Sequence, residues 1–191
     1  MKIDLTYPLT KEKIEEFTSK LSERDKNIMA MGHIGTHFDA MEKKFPLDYG
    51  ERRGIIFDVS KISGREIKIS DIDADKIQSG DFVLLYTGVI EKFDYGTEEY
   101  FKNNPELSWD LIENFVEKKI SLVGVDNCGV RHGCEHAKAD KFFADNDTFV
   151  IENLVNLDKI IFADKKIFQV HTYPLNLINF SGIPSRVIAE I

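Results

Sequence analysis

Apolar and polar residues alternate along Ile3-Asp4-Leu5-Thr6-Tyr7, the period of a short opening strand. Thr10 then stands at a capping position, and Ile14, Phe17 and Leu21 recur at helical spacing behind it. A charged helix is therefore expected over residues 11–21, ended by the polar residues 22–27. Residues 54–59 read as a strand, and 67–77 alternate weakly, with Ser70-Asp71-Ile72-Asp73 opening a short helical turn. Phe82-Val83-Leu84-Leu85-Tyr86 is an unbroken apolar run closed by Thr87-Gly88, the pattern of a strand covered on both faces. Ser108 caps a helix whose buried side is Leu111, Ile112, Phe115 and Val116, and Asp110 suits its positive end. Residues 122–126 and 148–152 are further buried strands, 137–144 are helical, and 154–160 form a turn and short helix. Residues 167–171 and 186–191 supply late strands. Strands separated by helices imply an α/β fold with a partly parallel sheet. No repeat, low-complexity tract or linker divides residues 1–191, so one domain is expected.

Composition narrows the function classes. The 191 residues carry 25 basic and 33 acidic side chains, a net charge of −8, with no basic run interleaved with aromatics. That balance favours solubility and argues against a nucleic-acid surface. No apolar stretch reaches about 18 residues, so no transmembrane helix is expected. The N-terminus enters a strand pattern with an early acid, unlike a signal peptide. Two cysteines make no disulfide framework, and a cytoplasmic location is the expectation.

The chemistry concentrates in His33-Ile34-Gly35-Thr36-His37-Phe38-Asp39. Two imidazoles four residues apart and a carboxylate two further on form a donor set that zinc, manganese and ferrous iron all accept. Gly35 permits an unusual backbone turn between the ligands, and the Thr36 hydroxyl can tie that turn to neighbouring backbone. Several buried strands end in polar groups, namely Asp58, Thr87, Asp126 and Glu152. For Asp58 a loop beginning is explanation enough. Glu152 follows Phe149-Val150-Ile151 and precedes Leu154, so it is expected to be buried, and a buried carboxylate without a cation or hydrogen bonds is costly.

A second cluster spans residues 127–136. Cys128, His132, Cys134 and His136 are spaced C-x3-H-x1-C-x1-H, which is not the paired frame of a structural zinc site. His136 and Asp140 are four apart and share a helix face, so either can reach a metal held by the first segment. Arg131 reads as an ion-paired group rather than a substrate anchor, and His171, inside an apolar strand, as a core histidine rather than a ligand.

These residues carry a resemblance. The run His33-Ile34-Gly35-Thr36-His37-Phe38-Asp39 resembles the H-x-G-T-H-x-D signature of the cyclase family, which includes bacterial kynurenine formamidases and isatin hydrolases. Ile3-Asp4-Leu5-Thr6, Leu84-Leu85-Tyr86-Thr87-Gly88, Val123-Gly124-Val125-Asp126, Val150-Ile151-Glu152-Asn153-Leu154 and residues 181–189 resemble further family blocks, in family order. The resemblance implies a three-layer β/β/α fold of swivelling type with a mixed sheet. It also implies a homodimer or homotetramer and a hydrolase of small amides using one or two divalent ions, commonly zinc or manganese. It makes His33, His37 and Asp39 ligands, Asp39 the bridge between ions, and Glu152 a ligand of the second.

Two positions depart from the family pattern. Lys43 stands where the family places its proton-shuttling histidine, with Met41 at the preceding proline. Asp140 stands at a histidine-ligand position twelve residues before Glu152. The second site is then rebuilt from Asp140 or His136, and the proton donor is sought among Lys43, Glu42, Asp140 and His136. Three readings follow: a metal-dependent arylformamidase-like hydrolase, a degenerate member that binds metal and ligand without turnover, and a non-haem iron oxygenase with a two-histidine, one-carboxylate triad. The fold that goes with the last is usually an antiparallel barrel, whereas this chain reads α/β.

Overall fold

Leu84 and Leu85 point to opposite faces of one strand, and that alternation organises the molecule. The computed structural model describes residues 1–8, 10–19, 22–23, 32–177 and 179–191. Its strands are β1 (Lys2–Asp4), β2 (His37–Asp39), β3 (Glu51–Asp58), β4 (Phe82–Tyr86), β5 (Leu122–Val125), β6 (Phe149–Glu152), β7 (Ile167–Pro174) and β8 (Gly182–Glu190). They join in the order β1-β8-β2-β6-β5-β4-β3-β7, and β7 pairs back onto β8, closing a seven-stranded barrel. Strands β3, β4, β5 and β6 run parallel to one another, and every pairing that involves β1, β2, β7 or β8 is antiparallel. The mixed, partly parallel α/β sheet expected from the sequence is present. Its parallel pairings β3–β4, β4–β5 and β5–β6 differ from the antiparallel barrel usual for the oxygenase reading.

The helices are α1 (Lys11–Ser19), α2 (Val89–Lys92), α3 (Glu98–Lys102), α4 (Trp109–Glu117), α5 (His136–Asp145) and α6 (Leu157–Phe162). Thr10 caps α1 through its hydroxyl, which accepts from the Lys13 N–H at 3.1 Å. Leu21, part of the polar stretch after it and the Phe17 side chain lie outside the described residues. Ser108 caps α4 as expected, accepting from the Leu111 N–H.

Period two sorts the strand residues into two cores. Ile56, Phe82, Leu84, Leu122 and Ile151 pack with Phe38, Val170, Ile183 and Val187 on one face. Ile55, Val83, Leu85, Val123 and Val150 pack on the other, against Leu111, Ile112 and Phe115 of α4 and Ala139 and Phe143 of α5. Each such fully buried side chain contributes on the order of 1.5–3 kcal/mol.

Three expectations change. β8 begins at Gly182 rather than Arg186, because residues 182–184 pair with β2. β3 begins at Glu51 because β7 pairs with its first residues. His171 is not a core histidine: it lies on the outward-facing side of β7, its ring 3.3 Å from Glu190 and 3.7 Å from Glu51 on the flanking strands. Among the described residues no helix is long and apolar enough to cross a membrane.

Candidate metal centre

Strand register brings the first donors together. In the β2–β6 pair His37 lies opposite Glu152, Phe38 opposite Ile151 and Asp39 opposite Val150. Phe38 and Ile151 share one core, so His37, Asp39 and Glu152 turn to the other face, toward α5. A one-residue slip would exchange the two sets. Gly35 adopts φ +61°, the left-handed turn foreseen for it, and carries the chain from His33 into β2. The Thr36 hydroxyl donates to the Asn153 carbonyl at 2.8 Å and accepts from the Tyr7 N–H at 2.8 Å, tying that turn down.

His33 Nδ1 lies 3.2 Å from His37 Nε2 and 3.2 Å from Asp39 Oδ1, and His37 Nε2 is 3.5 Å from Asp39 Oδ1 and 3.7 Å from Glu152 Oε2. Donor atoms of His33, His37 and Asp39 all fall within 4.8 Å of one another. The outer nitrogen of each ring is already engaged. His37 Nδ1 donates to the Gly35 carbonyl at 2.9 Å, and His33 Nε2 lies 2.8 Å from the Ser181 hydroxyl. The Gly35 carbonyl, which only accepts, keeps the His37 proton on Nδ1, and both outer contacts leave the inner nitrogens facing the cluster.

Helix α5 supplies the second half. His136, Ala139, Asp140, Phe143 and Ala144 form its inner stripe at helical spacing, and Asp140 is buried within it. His136 Nε2 is 3.3 Å from Asp140 Oδ2 and 3.5 Å from Glu152 Oε1, while its Nδ1 donates to the Arg131 carbonyl at 3.1 Å. Thus Glu152 reaches His37 with one oxygen and His136 with the other.

The carboxylates are buried beyond what their hydrogen bonds satisfy. Asp39 Oδ1 and Oδ2, Asp140 Oδ1 and Glu152 Oε1 are sealed from solvent and accept no hydrogen bond. Burial raises the pKa of Glu152 and of Asp140 well above the ordinary range, and the charge of Asp39 adds to it. Burial acts the same way on Asp39, but the His37 and His33 imidazoles outweigh it and hold that carboxyl low. Three acids sealed among three imidazoles with orphaned oxygens fit a divalent cation, which removes the penalty for ionising them. Imidazole with carboxylate is also a donor set that first-row ions accept.

Other candidates fall elsewhere. Met41 and Glu42 both have left-handed φ, 46° and 66°, and this turn leaves Glu42 exposed and Lys43 2.9 Å from Asp145 in a surface ion pair. That contact raises the Lys43 pKa and keeps it an ammonium. Arg131 is ion-paired, with Glu66 and Glu135. Cys134 is exposed and Cys128 is packed beside Asn104, so no cysteine joins the cluster. Asp58 accepts from Ser60, a strand-end cap, and Asp126 accepts from Thr87 and Gly88. Sequence reasoning missed Ser181, Asn153 and Tyr100. Tyr100 donates to Asn153 Oδ1 at 2.5 Å, and Asn153 Nδ2 donates at 3.0 Å to the same Gly35 carbonyl that holds His37.

Residues 3–132 match the model of a family described as "Putative cyclase", a span that includes the whole His33-to-Asp39 run. The chain belongs to the cyclase family. The uncharacterized protein MJ0783 of Methanocaldococcus jannaschii is 30% identical over 165 residues, covering 85% of this chain and 80% of that relative. A solved structure described as a potential metal-dependent hydrolase with cyclase activity superposes with a TM-score of 0.72 at 23% identity, over 99% of this chain and 96% of the other. A predicted metal-dependent hydrolase from Bacillus stearothermophilus gives 0.69 at 21% identity, over 99% of this chain and 97% of that one. An isatin hydrolase bound to the product analogue thioisatinate gives 0.70 at 21% identity, over 83% of this chain and 72% of that one. At those identities the likeness establishes the fold. In this cyclase-family chain the matched span ends before His136, Asp140 and Glu152.

Proposed function

We propose that this cyclase-family protein is a divalent-metal-dependent hydrolase that cleaves a C–N amide bond, of formamide or lactam type, in a small molecule. The observation that carries the reading is the convergence of His33 Nδ1, His37 Nε2 and the orphaned Asp39 carboxylate, with both outer imidazole nitrogens already engaged. His33, His37 and Asp39 hold one ion. Glu152, His136 and Asp140 hold a second, with Asp39 between them. Zinc or manganese suits the first set. The second, richer in oxygen, suits manganese. Bound there, such an ion lowers the pKa of water from about 15.7 toward ~7 and polarises a carbonyl oxygen.

The chain's own groups do the rest. His37 keeps a proton on Nδ1 for Gly35, and His136 keeps one on Nδ1 for Arg131, so neither ring can turn away. The side chains of His33 and His136 are 19% and 35% exposed, against 6% or less for His37, Asp39, Asp140 and Glu152. Substrate and water therefore enter past His33 and His136, and solvent there supplies the proton for the leaving nitrogen. Lys43, whose charge is engaged by Asp145, does not.

Elemental analysis of protein purified without chelator tests the reading, with about two ions per chain expected on the six donors above. N-formylkynurenine and isatin are the first substrates to assay. Asp39→Ala abolishes metal binding and hydrolysis together; tight metal binding retained by that variant contradicts the assignment. The displacement of Lys43 favours one competing reading, a member that binds metal and a small ligand without turnover. Stoichiometric metal with no hydrolysis across formamides, lactams and lactones would select it. The three-layer swivelling description, a homodimer or homotetramer and a cytoplasmic location accompany the proposal, the oligomer being read by light scattering.

A further inference from the structure

Ser181 and Gly182 lie almost 150 residues from the ligand run, yet they touch both of its ends. The Ser181 hydroxyl is 2.8 Å from His33 Nε2. Its carbonyl accepts from the Ala40 N–H at 2.7 Å and the Met41 N–H at 3.0 Å, directly after Asp39. Gly182 pairs in register with Asp39, and a Cβ placed on it would stand 2.8 Å from His33 Cδ2 and 2.9 Å from Cγ and Nε2. The His33 ring therefore lies flat against a bare backbone, where any side chain would displace it.

We propose that Ser181 and Gly182 are a positioning pair that seats the His33 ring, so that Nδ1 faces the centre and Nε2 keeps a hydrogen-bond partner in either tautomer. A rotor hydroxyl is suited to the task. With no cation, Nδ1–H donates toward Asp39 Oδ1, 3.2 Å away, and Ser181 donates to Nε2. A cation taking the Nδ1 lone pair would move the proton to Nε2, and the hydroxyl then turns to accept it. The carbonyl contacts to Ala40 and Met41 hold Asp39 in the same frame, so the distance between the two ligands is set by one dipeptide of β8. The role rests on the metal-binding reading, because the direction of Nδ1 matters to a ligand and not to a histidine that merely packs.

Two measurements on the 191-residue chain test the pair. The first is the zinc dissociation constant of chelator-stripped protein, by competition with a chromophoric chelator. The second is the His33 tautomer with and without zinc, by long-range proton–nitrogen correlation on 15N-histidine-labelled protein. Zinc-loaded wild type is expected to show His33 protonated on Nε2. Ser181→Ala should weaken zinc binding about 10- to 100-fold, the usual size of an outer-partner loss, with the melting temperature of the metal-free protein unchanged. Ser181→Thr, which keeps the hydroxyl, should restore the affinity. Gly182→Ala should weaken zinc binding while the Ser181 hydroxyl remains. Wild-type zinc affinity in Ser181→Ala would overturn the positioning role. Wild type that fails to bind zinc would overturn the metal reading, and the role with it. The order Ser181 Oγ, His33 and Asp39 also matches a nucleophilic triad. Covalent labelling of Ser181 in stripped protein by a fluorophosphonate would overturn the positioning role in favour of that one.

Discussion

Replacing Asp140 with asparagine separates the energy of the empty centre from that of the loaded one, with opposite signs. The Asp140 carboxyl is 2% exposed, its Oδ1 has no donor, and burial with the Asp39 charge raises its pKa well above the ordinary range. In metal-free protein the folded state therefore holds this proton more tightly than the unfolded chain does. Because the folded pKa is the higher one, its contribution is intact below the unfolded pKa of about 3.9 and is lost as pH rises above it. The loss grows by about 1.36 kcal/mol per pH unit and is therefore at most about 4 kcal/mol at pH 7. A neutral amide escapes that penalty but brings polar groups of its own, which cost about 1–3 kcal/mol if unpaired. Metal-free Asp140→Asn should then be more stable than metal-free wild type at pH 7, by up to about 3 kcal/mol, with the gap closing toward pH 4.

With metal the order reverses. A second ion held at a hundredfold excess over its dissociation constant stabilises the fold by about 2.7 kcal/mol, and the variant forfeits that. Urea unfolding between pH 4 and 7.5, in chelator and in excess manganese, reads both signs, and elemental analysis after dialysis should fall from about two ions per chain to about one. A metal-free variant less stable than wild type at pH 7, still retaining two ions, would refute both the charge reasoning and the assignment of Asp140.

Phe38→Ala empties a fully buried site between β2 and its neighbours and should cost about 3–5 kcal/mol in urea unfolding, releasing metal as the strand loosens. Tyr100→Phe leaves Asn153 Oδ1 without its donor; a loss of about 1–3 kcal/mol is expected, with weaker metal binding measured by chelator competition. Asp71 is held at a pKa of about 2, chiefly by the paired guanidinium bonds of Arg65, with the Lys68 N–H adding to them. Its stabilisation is therefore present at neutral pH and lost as pH falls through that value. Solvent screening limits it to about 0.5–1 kcal/mol, so Asp71→Asn should differ from wild type near pH 7 and converge with it in acid unfolding. Lys43→Ala should leave metal content and any hydrolysis unchanged, and a large fall in rate would restore Lys43 as the proton donor.

The parts of this molecule that the sequence disclosed are those fixed by neighbours along the chain. The run 82–86 coincides with β4 because an unbroken apolar stretch bounded by Thr87-Gly88 has little alternative to a strand buried on both faces. Ser108 and the stripe Leu111, Ile112 and Phe115 define α4 for equally local reasons. The donors His33, His37 and Asp39 were legible because all three fall within seven residues. Register between distant strands was not legible. The start of β8 at Gly182 depends on β2, and the outward position of His171 depends on Glu51 and Glu190 arriving on adjacent strands. The turn at Met41 and Glu42, which delivers Lys43 to Asp145, uses left-handed backbone at residues that seldom adopt it.

Asp140 lies between these cases. Its spacing from His136 placed both on one helix face, but not on the face that meets the sheet. The missing step was available: Ala139, Phe143 and Ala144 define the apolar stripe, and Asp140 lies inside it. A helix does not turn a carboxylate into an apolar seam unless something there compensates its charge. The same logic exposed Glu152 between Phe149-Val150-Ile151 and Leu154. Applied to both, it predicts two acids on different elements meeting at one charged site, and Glu152 and Asp140 both lie beside His136 Nε2.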